Sequence, residues 1–588
     1  MCGIVGYIGK NSKTKKNLID KMLNSINHRG PDGSSVNIYN NCIIGFNRLS
    51  INDLSDTGMQ PFEVNDKVVF ANGEIYNHLD LKNKFHVSSK LIGDSDIEII
   101  PHIYNELGFD FLNELNGGFA IAVYEKKSEK LYLIIDRFGK KPMYYYQVES
   151  GIFFSSELKA ILLNFNLEID KKAMNIGFFQ GYFSYPLTPV KGVKKIRPGE
   201  VLTINPDLSL GTLSWYKMQP NYSVNELSIQ ELENSFCTLL DDAVDIRMTA
   251  DVEAGLYLSG GLDSTAIAAS CSKLGYNKIH TFSGTVRGKE YSTDNYNATR
   301  FASEYNFIHH VINIDTDTYR NNIVETCTAF DEINFETANI NFIEIAREAK
   351  KYVTIMLDGC GGDEVFFGYS SQASINRLPK FARNIFPSIS IINNYLAKNS
   401  PKLFSYYIAL SDIERFMFLC RSFIPIDVAI TFPYFDIDFI KSNLQEMASL
   451  LPNTFKSIKD QNYLSYLDII GNNMLNYQQL DRCSMFHTIE PRSPLSDYRI
   501  WEAFLGVDEK LKFDGGTKGL MKRILRNRLP DYILSAEKDG FSNPFHVWFK
   551  EDKCLRDELL LIVEKRIELL CEILGDEYVT NIINKWKN

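Results

Sequence analysis

Two unlike patterns in one chain predict an α/β sandwich followed by a doubly wound parallel-sheet domain with a helical C-terminal part. The first is a run of short β-type segments between turn residues over positions 2–215; the second is a strict alternation of strand and helix after about 230. In the first half, strands are expected at Ile4–Ile8, Cys42–Phe46, Val68–Ala71, Phe119–Tyr124, Leu131–Ile135, Met143–Val148, Ile152–Ser155 and Glu200–Ile204. Helices are expected at Lys15–Asn24 and at Ser95–Leu107, where carboxylates in the first turn suit a helix N-terminus. A polar, Pro-containing stretch over 205–228 reads as a linker, and the chain divides into 2–212 and 213–588. Beyond it, Leu232, Phe236, Leu239, Leu240, Ala243 and Val244 share one face of a helix over Glu231–Met248. Strands at Gly255–Leu258, His280–Ser283, His309–Ile314 and Val353–Leu357 then alternate with helices at Ser264–Leu274, Thr293–Tyr305 and Phe342–Lys350, which predicts a doubly wound parallel sheet. From about 370 to 588 the pattern is almost entirely helical.

Composition narrows the function. With 588 residues, 45% of them hydrophobic and 23% charged, the chain supports at least two cores and no extended disorder. A net charge of −10 repels phosphate backbones and anionic lipid, so neither nucleic acid nor membrane is an expected partner. No apolar stretch approaches the ~20 residues of a membrane span, and Met1–Lys10 lacks the charge order of a signal peptide, so a cytoplasmic protein is expected. Ten Cys without paired metal spacing read as free thiols in a reducing compartment.

Cys2 follows the initiator Met, and Cys is small enough for that Met to be trimmed. The product carries a thiol and a free α-amine on one residue; the amine, titrating at about 7.7–8.0, can take the proton of a thiol titrating at about 8.5. Position alone makes a poor case, but Cys2 is accompanied by Asn47-Arg48-Leu49-Ser50-Ile51, Gln60-Pro61, Asn72-Gly73-Glu74-Ile75-Tyr76-Asn77, Ser95-Asp96, Asp136 to Pro142 and Ser155 to Ala160. In this order, after Met1-Cys2-Gly3-Ile4-Val5-Gly6, these segments resemble the glutaminase domain of class II glutamine amidotransferases, which are N-terminal-nucleophile enzymes with an αββα sandwich. The resemblance implies that Cys2 attacks the glutamine amide and that the Asn72 side chain and Gly73 N–H receive the oxyanion. It also implies that Arg48 holds the substrate carboxylate and that Glu74 and Asp96 engage its ammonium group.

A second site lies at Gly255-Leu256-Tyr257-Leu258-Ser259-Gly260-Gly261-Leu262-Asp263-Ser264, a strand, a glycine turn and a helix start that aims N–H groups at an anion. It lacks the Walker arrangement and resembles the pyrophosphate loop of ATP pyrophosphatases, which implies adenylation, with Ser283 and Gly359 also against ATP. A second strand end, Asp358-Gly359-Cys360-Gly361-Gly362-Asp363-Glu364, brings acids to the same sheet edge, where Asp263 and Asp363 could share Mg²⁺. Asp481 to Met485, Glu490-Pro491-Arg492-Ser493-Pro494, Lys522 to Arg526 and Lys538-Asp539-Gly540-Phe541 complete a resemblance to glutamine-hydrolysing asparagine synthetases. By it, Lys522 stabilises charge on the leaving pyrophosphate.

The departures concentrate on the acceptor side. The family loop usually reads Ser-Gly-Glu-Gly, so its Glu is here Cys360, with Asp358 two residues earlier; Phe367 replaces a family Gly, and Ala536 stands where Arg is common. The expected function is a glutamine- and ATP-dependent amidotransferase with aspartate as default acceptor. A different carboxylate, such as a uronic or natural-product acid, and a plain amidohydrolase or glutamine sensor are the alternatives. The implied partners are small molecules, namely glutamine, ATP and the carboxylate acceptor, and a homodimer is left open.

Overall fold

The computed structural model describes residues 1–288, 292–369, 432–449, 465, 468, 469, 471–537 and 543–587. The Lys538-Asp539-Gly540-Phe541 segment, and much of the helical pattern expected after 370, lie outside them.

The first half is an αββα sandwich. One antiparallel sheet runs in the order Val193–Lys195, Tyr144–Val148, Gly151–Ser155, Gly3–Gly9, Cys42–Arg48, Gly33–Ile38; the other runs Leu210–Ser214, Glu200–Ile204, Lys130–Ile135, Gly117–Glu125, Lys67–Ile75, Phe62–Val64. The sheets meet through alternate residues such as Ile4, Ile8, Ile44 and Phe46 on one and Phe70, Ala122, Leu131 and Leu133 on the other. Their outer faces are covered by the helix Lys16–Ser25 on one side and Ile99–Leu107 on the other. That last helix starts four residues later than the sequence suggests. Ser95 Oγ accepts from the Ile97 N–H, Asp96 accepts from the Ile75 N–H, and Glu98 accepts from the Ile92 and Gly93 N–H groups, so these side chains organise the approach to the helix instead of its first turn.

The second half begins with the helix Ile229–Met248, closed at its N-terminus by a reciprocal Ser228–Glu231 capping box worth ~1 kcal/mol. Its parallel sheet has the order Ile308–Ile314, His280–Val286, Ala254–Tyr257, Ile355–Leu357, Glu490–Arg492. In chain order this is 3-2-1-4-5, and the direction of winding reverses between Ala254–Tyr257 and Ile355–Leu357. The two glycine-rich loops leave the carboxyl ends of those two strands, at the switch point where open α/β sheets bind ligands. The fifth strand departs from the sequence pattern, because Pro491 at its centre argues against a strand; it is tolerated at the sheet edge, where one row of N–H donors is not needed.

The halves join through buried charges. Arg29, fully buried, holds Asp481 through two contacts of 2.9 and 3.1 Å and Glu157 at 2.7 Å. Glu157 also meets Lys159 and Arg482, and Lys159 continues to Asp331. Arg247 pairs with Asp497, which also accepts from Asn116 of the first half. Breaking one partner of such a network strands charge in a low dielectric. Replacing Arg29 with Met is expected to cost ~3–5 kcal/mol, read as a drop in the thermal-unfolding midpoint; an unchanged midpoint would show that Asp481 and Glu157 are compensated elsewhere.

Candidate active sites

Cys2 leads into the strand Gly3–Gly9, and Asn72, Gly73 and Glu74 lie on Lys67–Ile75 of the facing sheet. The Cys2 N–H donates to Asn72 Oδ1 at 3.1 Å, which turns the amide so that Asn72 Nδ2 is buried without a hydrogen-bond partner among the described residues. An unpaired buried donor costs ~1–3 kcal/mol, a cost that a developing oxyanion would offset. Gly73 has φ +140°, and a Cβ there would collide with the Gly118 carbonyl oxygen, so the backbone beside Asn72 is restricted to glycine. The carbonyl of Cys2 is held by Arg29 Nε at 3.1 Å. Burial pushes the Cys2 thiol up to about 11, and the terminal ammonium opposes this without cancelling it.

The other residues of this site are brought to the same place. Arg48 ends the strand Cys42–Arg48 and is anchored by the carbonyls of Ser55, at 2.6 Å, and Asp53. Glu74 Oε2 accepts from Asn52 at 2.6 Å and lies 3.6 Å from Arg492; burial, with Asp96 and Glu490 nearby, holds its carboxyl well above the usual range. Asp96 Oδ2 accepts from the Ile75 N–H at 2.7 Å. No local pattern signals that the second half reaches in here. Met1 is buried against Leu49, Ile51, Ile355 and Met485, and its ammonium lies 2.8 Å from Glu490, itself paired with Arg492 at 2.7 Å. Although burial acts the other way, the ammonium and Arg492 draw Glu490 down to about 2.

At the other end of the parallel sheet lies a cavity of about 1030 Å³. Leu258, Ser259, Gly261, Asp263, Ser264, Ser283, Asp358, Gly359, Cys360, Asp363 and Lys522, all singled out in the sequence, line it. Gly260 is off the wall and shapes the turn instead, since at φ +82° it passes so close to the Asp294 carbonyl that any side chain would clash. Ser259 and Ser264 share a hydrogen bond of 3.0 Å and Gly261 N–H donates to Ser259 Oγ at 3.2 Å, which closes the loop onto the helix Leu262–Lys273. In the second loop Asp358 accepts from the Cys360 N–H and the Ser493 hydroxyl, both at 2.9 Å, while burial raises its carboxyl to about 6. Burial also pushes the Cys360 thiol up, with Glu364 and Asp358 adding to it, so the group is a neutral thiol.

Sequence reasoning missed Lys518. Its ammonium is buried between Asp263 and Asp363, 2.7 Å from the latter. It also missed Lys140 of the first half, which reaches the Ser496 carbonyl at 3.0 Å and is lowered to about 8 by burial and by Arg247. The polar wall of Glu364, Tyr369 and Asn476, in which Glu364 accepts from the other two at 2.7 and 3.2 Å, was likewise unread. Lys518 stands four residues before Lys522, but a lysine has no periodic signature.

A family model described as a glutamine amidotransferase domain matches residues 1–215, and one described as asparagine synthase matches 236–588. A Methanocaldococcus jannaschii protein whose name places it among glutamine-hydrolysing asparagine synthetases is 34% identical over 445 residues, covering 68% of this chain and 85% of its own. Bacillus subtilis asparagine synthetases 1 and 3, both named as glutamine-hydrolysing, are 28% and 26% identical, covering 94% and 98% of this chain and 88% and 94% of theirs.

Exchange of Gly73 for Ala should force apart the strands bearing Gly73 and Gly118 and reduce glutamine hydrolysis at least ~100-fold; steady-state glutaminase rates within a few-fold of the parent would remove the constraint. By sequence over nearly its whole length, the chain belongs to the asparagine synthase family and is a glutamine-dependent carbon–nitrogen ligase of asparagine synthetase type.

Proposed function

We propose that residues 2–212 hydrolyse glutamine at Cys2 and that residues 213–588 use ATP, the substrate common to this family, to activate a carboxylate, by default that of aspartate. Once Met1 is removed, the α-amine of Cys2 takes the thiol proton and Sγ attacks the glutamine side-chain carbonyl. The oxyanion is held by Asn72 Nδ2 and the Gly73 N–H, donors of a kind that commonly contribute ~3–4 kcal/mol. Ammonia leaves, and water releases glutamate from the thioester. Arg48 would grip the substrate carboxylate, with Glu74 and Asp96 on its ammonium.

At the second site the acceptor carboxylate would attack the α-phosphorus of ATP, pyrophosphate would depart, and ammonia would then displace AMP. Leu258, Ser259, Gly261, Ser264, Ser283 and Gly359 would hold the nucleotide, with Gly260 shaping the turn between them and Lys522 facing the departing pyrophosphate. Asp263 and Asp363 suit Mg²⁺: their carboxylates already converge on one cation, the Lys518 ammonium, and hard oxygen donors are what that ion takes. When bound, the ion would neutralise charge on the phosphate oxygens. The observation that carries the reading is the convergence of both switch-point loops on one cavity, with the edge strand Glu490–Arg492 running from that sheet to the Cys2 site. A cytoplasmic location fits the free thiols, and among the described residues no helix is long and apolar enough to cross a membrane.

The altered loop favours a second acceptor class. A Glu at position 360 would be placed to accept a proton as ammonia attacks; Cys360 supplies a neutral thiol on the cavity wall, and Asp358 has one oxygen engaged by the Cys360 N–H and the other by the Ser493 hydroxyl. A bulkier carboxylate than aspartate would find more room and one fewer negative charge.

Glutamine-dependent pyrophosphate release, measured with a panel of carboxylic acids, tests these readings together. Release stimulated best by aspartate, by a wide margin, would dismiss the bulkier acceptor; no release with any acid would leave a glutaminase alone. Cys2→Ala should abolish glutamine-dependent amidation while ammonium salts still support it, and equal loss of both would refute the division of labour. Cys360→Glu should shift the order of preferred acceptors in the same assay, whereas an unchanged order would make Cys360 a space-filling residue.

A further inference from the structure

Lys518 occupies a place that its side-chain type does not explain. It heads the helix Gly519–Ile524 with φ +56° and ψ +30°, a left-handed conformation that costs a non-glycine residue roughly 1–2 kcal/mol. Such a conformation persists where surrounding contacts over-determine it. Here the contacts are two ion pairs, to Asp263 on the first switch-point loop and to Asp363 on the second. The packing around them admits no alternative: a Cβ on Gly362 would collide with Asp263 Oδ1, and one on Gly368 would collide with Asp363 Oδ1 and crowd Lys518 Cε. Glycines therefore let a buried ammonium meet two half-buried carboxylates at one wall of the cavity.

We infer that Lys518 is a built-in counter-ion that holds the two metal carboxylates together without nucleotide, and that it must be displaced when a divalent cation enters. This rests on the reading of Asp263 and Asp363 as the metal pair. Both carboxylates converge on the one ammonium, so a dication gains Coulomb energy from them only after an ion pair is broken. The cation and the lysine compete for the same oxygens. A flexible four-carbon stem lets the displaced ammonium turn towards the phosphate oxygens that arrive with the cation, so the positive charge stays inside the cavity. The device would make cation binding weak without ATP and strong with it, because triphosphate supplies the second resting place for the lysine. Lys518 is thus a positioning residue for the metal pair, separate from Lys522.

The test uses the full chain, without nucleotide, and Mn²⁺ as a paramagnetic probe. Free Mn²⁺ is followed by electron spin resonance for the parent, Lys518→Gln and Lys518→Arg. Removing the competing charge in K518Q should tighten Mn²⁺ binding about tenfold or more, since ion pairs of this kind compete by the order of 1.4 kcal/mol per factor of ten. K518R, which keeps the charge, should bind Mn²⁺ as weakly as the parent. The melting midpoint of K518Q should fall without metal, as two carboxylates lose their shared partner, and recover with Mn²⁺. A structural role alone would give a midpoint that Mn²⁺ does not restore, and that result overturns the proposal. Equal Mn²⁺ affinity in parent and K518Q overturns the role of Lys518 while leaving the metal pair standing. No Mn²⁺ bound by any of the three chains overturns both.

Discussion

Charge buried between the antiparallel sheets and the parallel sheet must be paired there, and that requirement determines how the two sites face each other. Arg29 has no solvent and two acids, Glu157 from its own half and Asp481 from the other. The same guanidinium holds the Cys2 carbonyl, so the backbone of Cys2 is set partly by a residue 452 positions from Arg29 in the chain. Glu490 and Arg492 repeat the pattern on the edge strand of the parallel sheet, one acid against the chain terminus and one cation towards Glu74. Each half thus completes the charge pairing of the other, and removing one partner while the seam stays closed would strand a buried charge at a cost of several kcal/mol.

The same strands carry consequences in the other direction. Ile355–Leu357 lies between Ala254–Tyr257 and Glu490–Arg492, so the loop of Asp358 to Asp363 starts beside the strand that touches the first site. Asp358 is tied to Ser493, and the Cys360 carbonyl to Ser496, both on the chain that leaves that edge strand. Lys140 approaches from the first half and caps the Ser496 carbonyl. Arg492, the Asp358 loop and the Lys140 contact are therefore all attached to the same edge strand and the chain that leaves it.

What was legible in the sequence is what local chemistry dictates. The strands flanking Cys2, Asn72 and Asp263 follow from alternation and turn residues, and Gly260 and Gly361 stand where a side chain would collide with neighbouring backbone. The motifs carried the two glycine-rich loops of the cavity wall and Lys522, while the side with Phe342, Tyr369, Asn476 and Gln479 went unread. The seam was not legible, since Arg29, Glu157, Asp481 and Glu490 are spread over more than four hundred positions and each alone reads as surface charge. The fifth strand hid behind Pro491, and the helix after Asp96 began late because that carboxylate had a distant donor to satisfy. Lys518 hid beside Lys522 because its role depends on the approach of two loops that only the folded sheet brings together.

The acceptor side shows why a single replacement in such a wall carries weight. Asp358 spends one oxygen on the Cys360 N–H and the other on the Ser493 hydroxyl, and Glu364 accepts from Tyr369 and Asn476, while Asp263 and Asp363 converge on Lys518. Gln479, also on the wall, donates to Asn339 at 2.6 Å. These four acids are thus committed to holding the cavity in shape or to its cationic end. Position 360 stands between those commitments, facing the cavity from a backbone fixed at both its N–H and its carbonyl. A carboxylate there would be rigidly aimed and free to take a proton; a thiol, which burial keeps protonated, is equally well aimed and chemically mute. The difference at this point is thus one of charge and volume on a fixed backbone, the kind of change that acts on which ligand fits a wall while leaving the fold of the wall as it is.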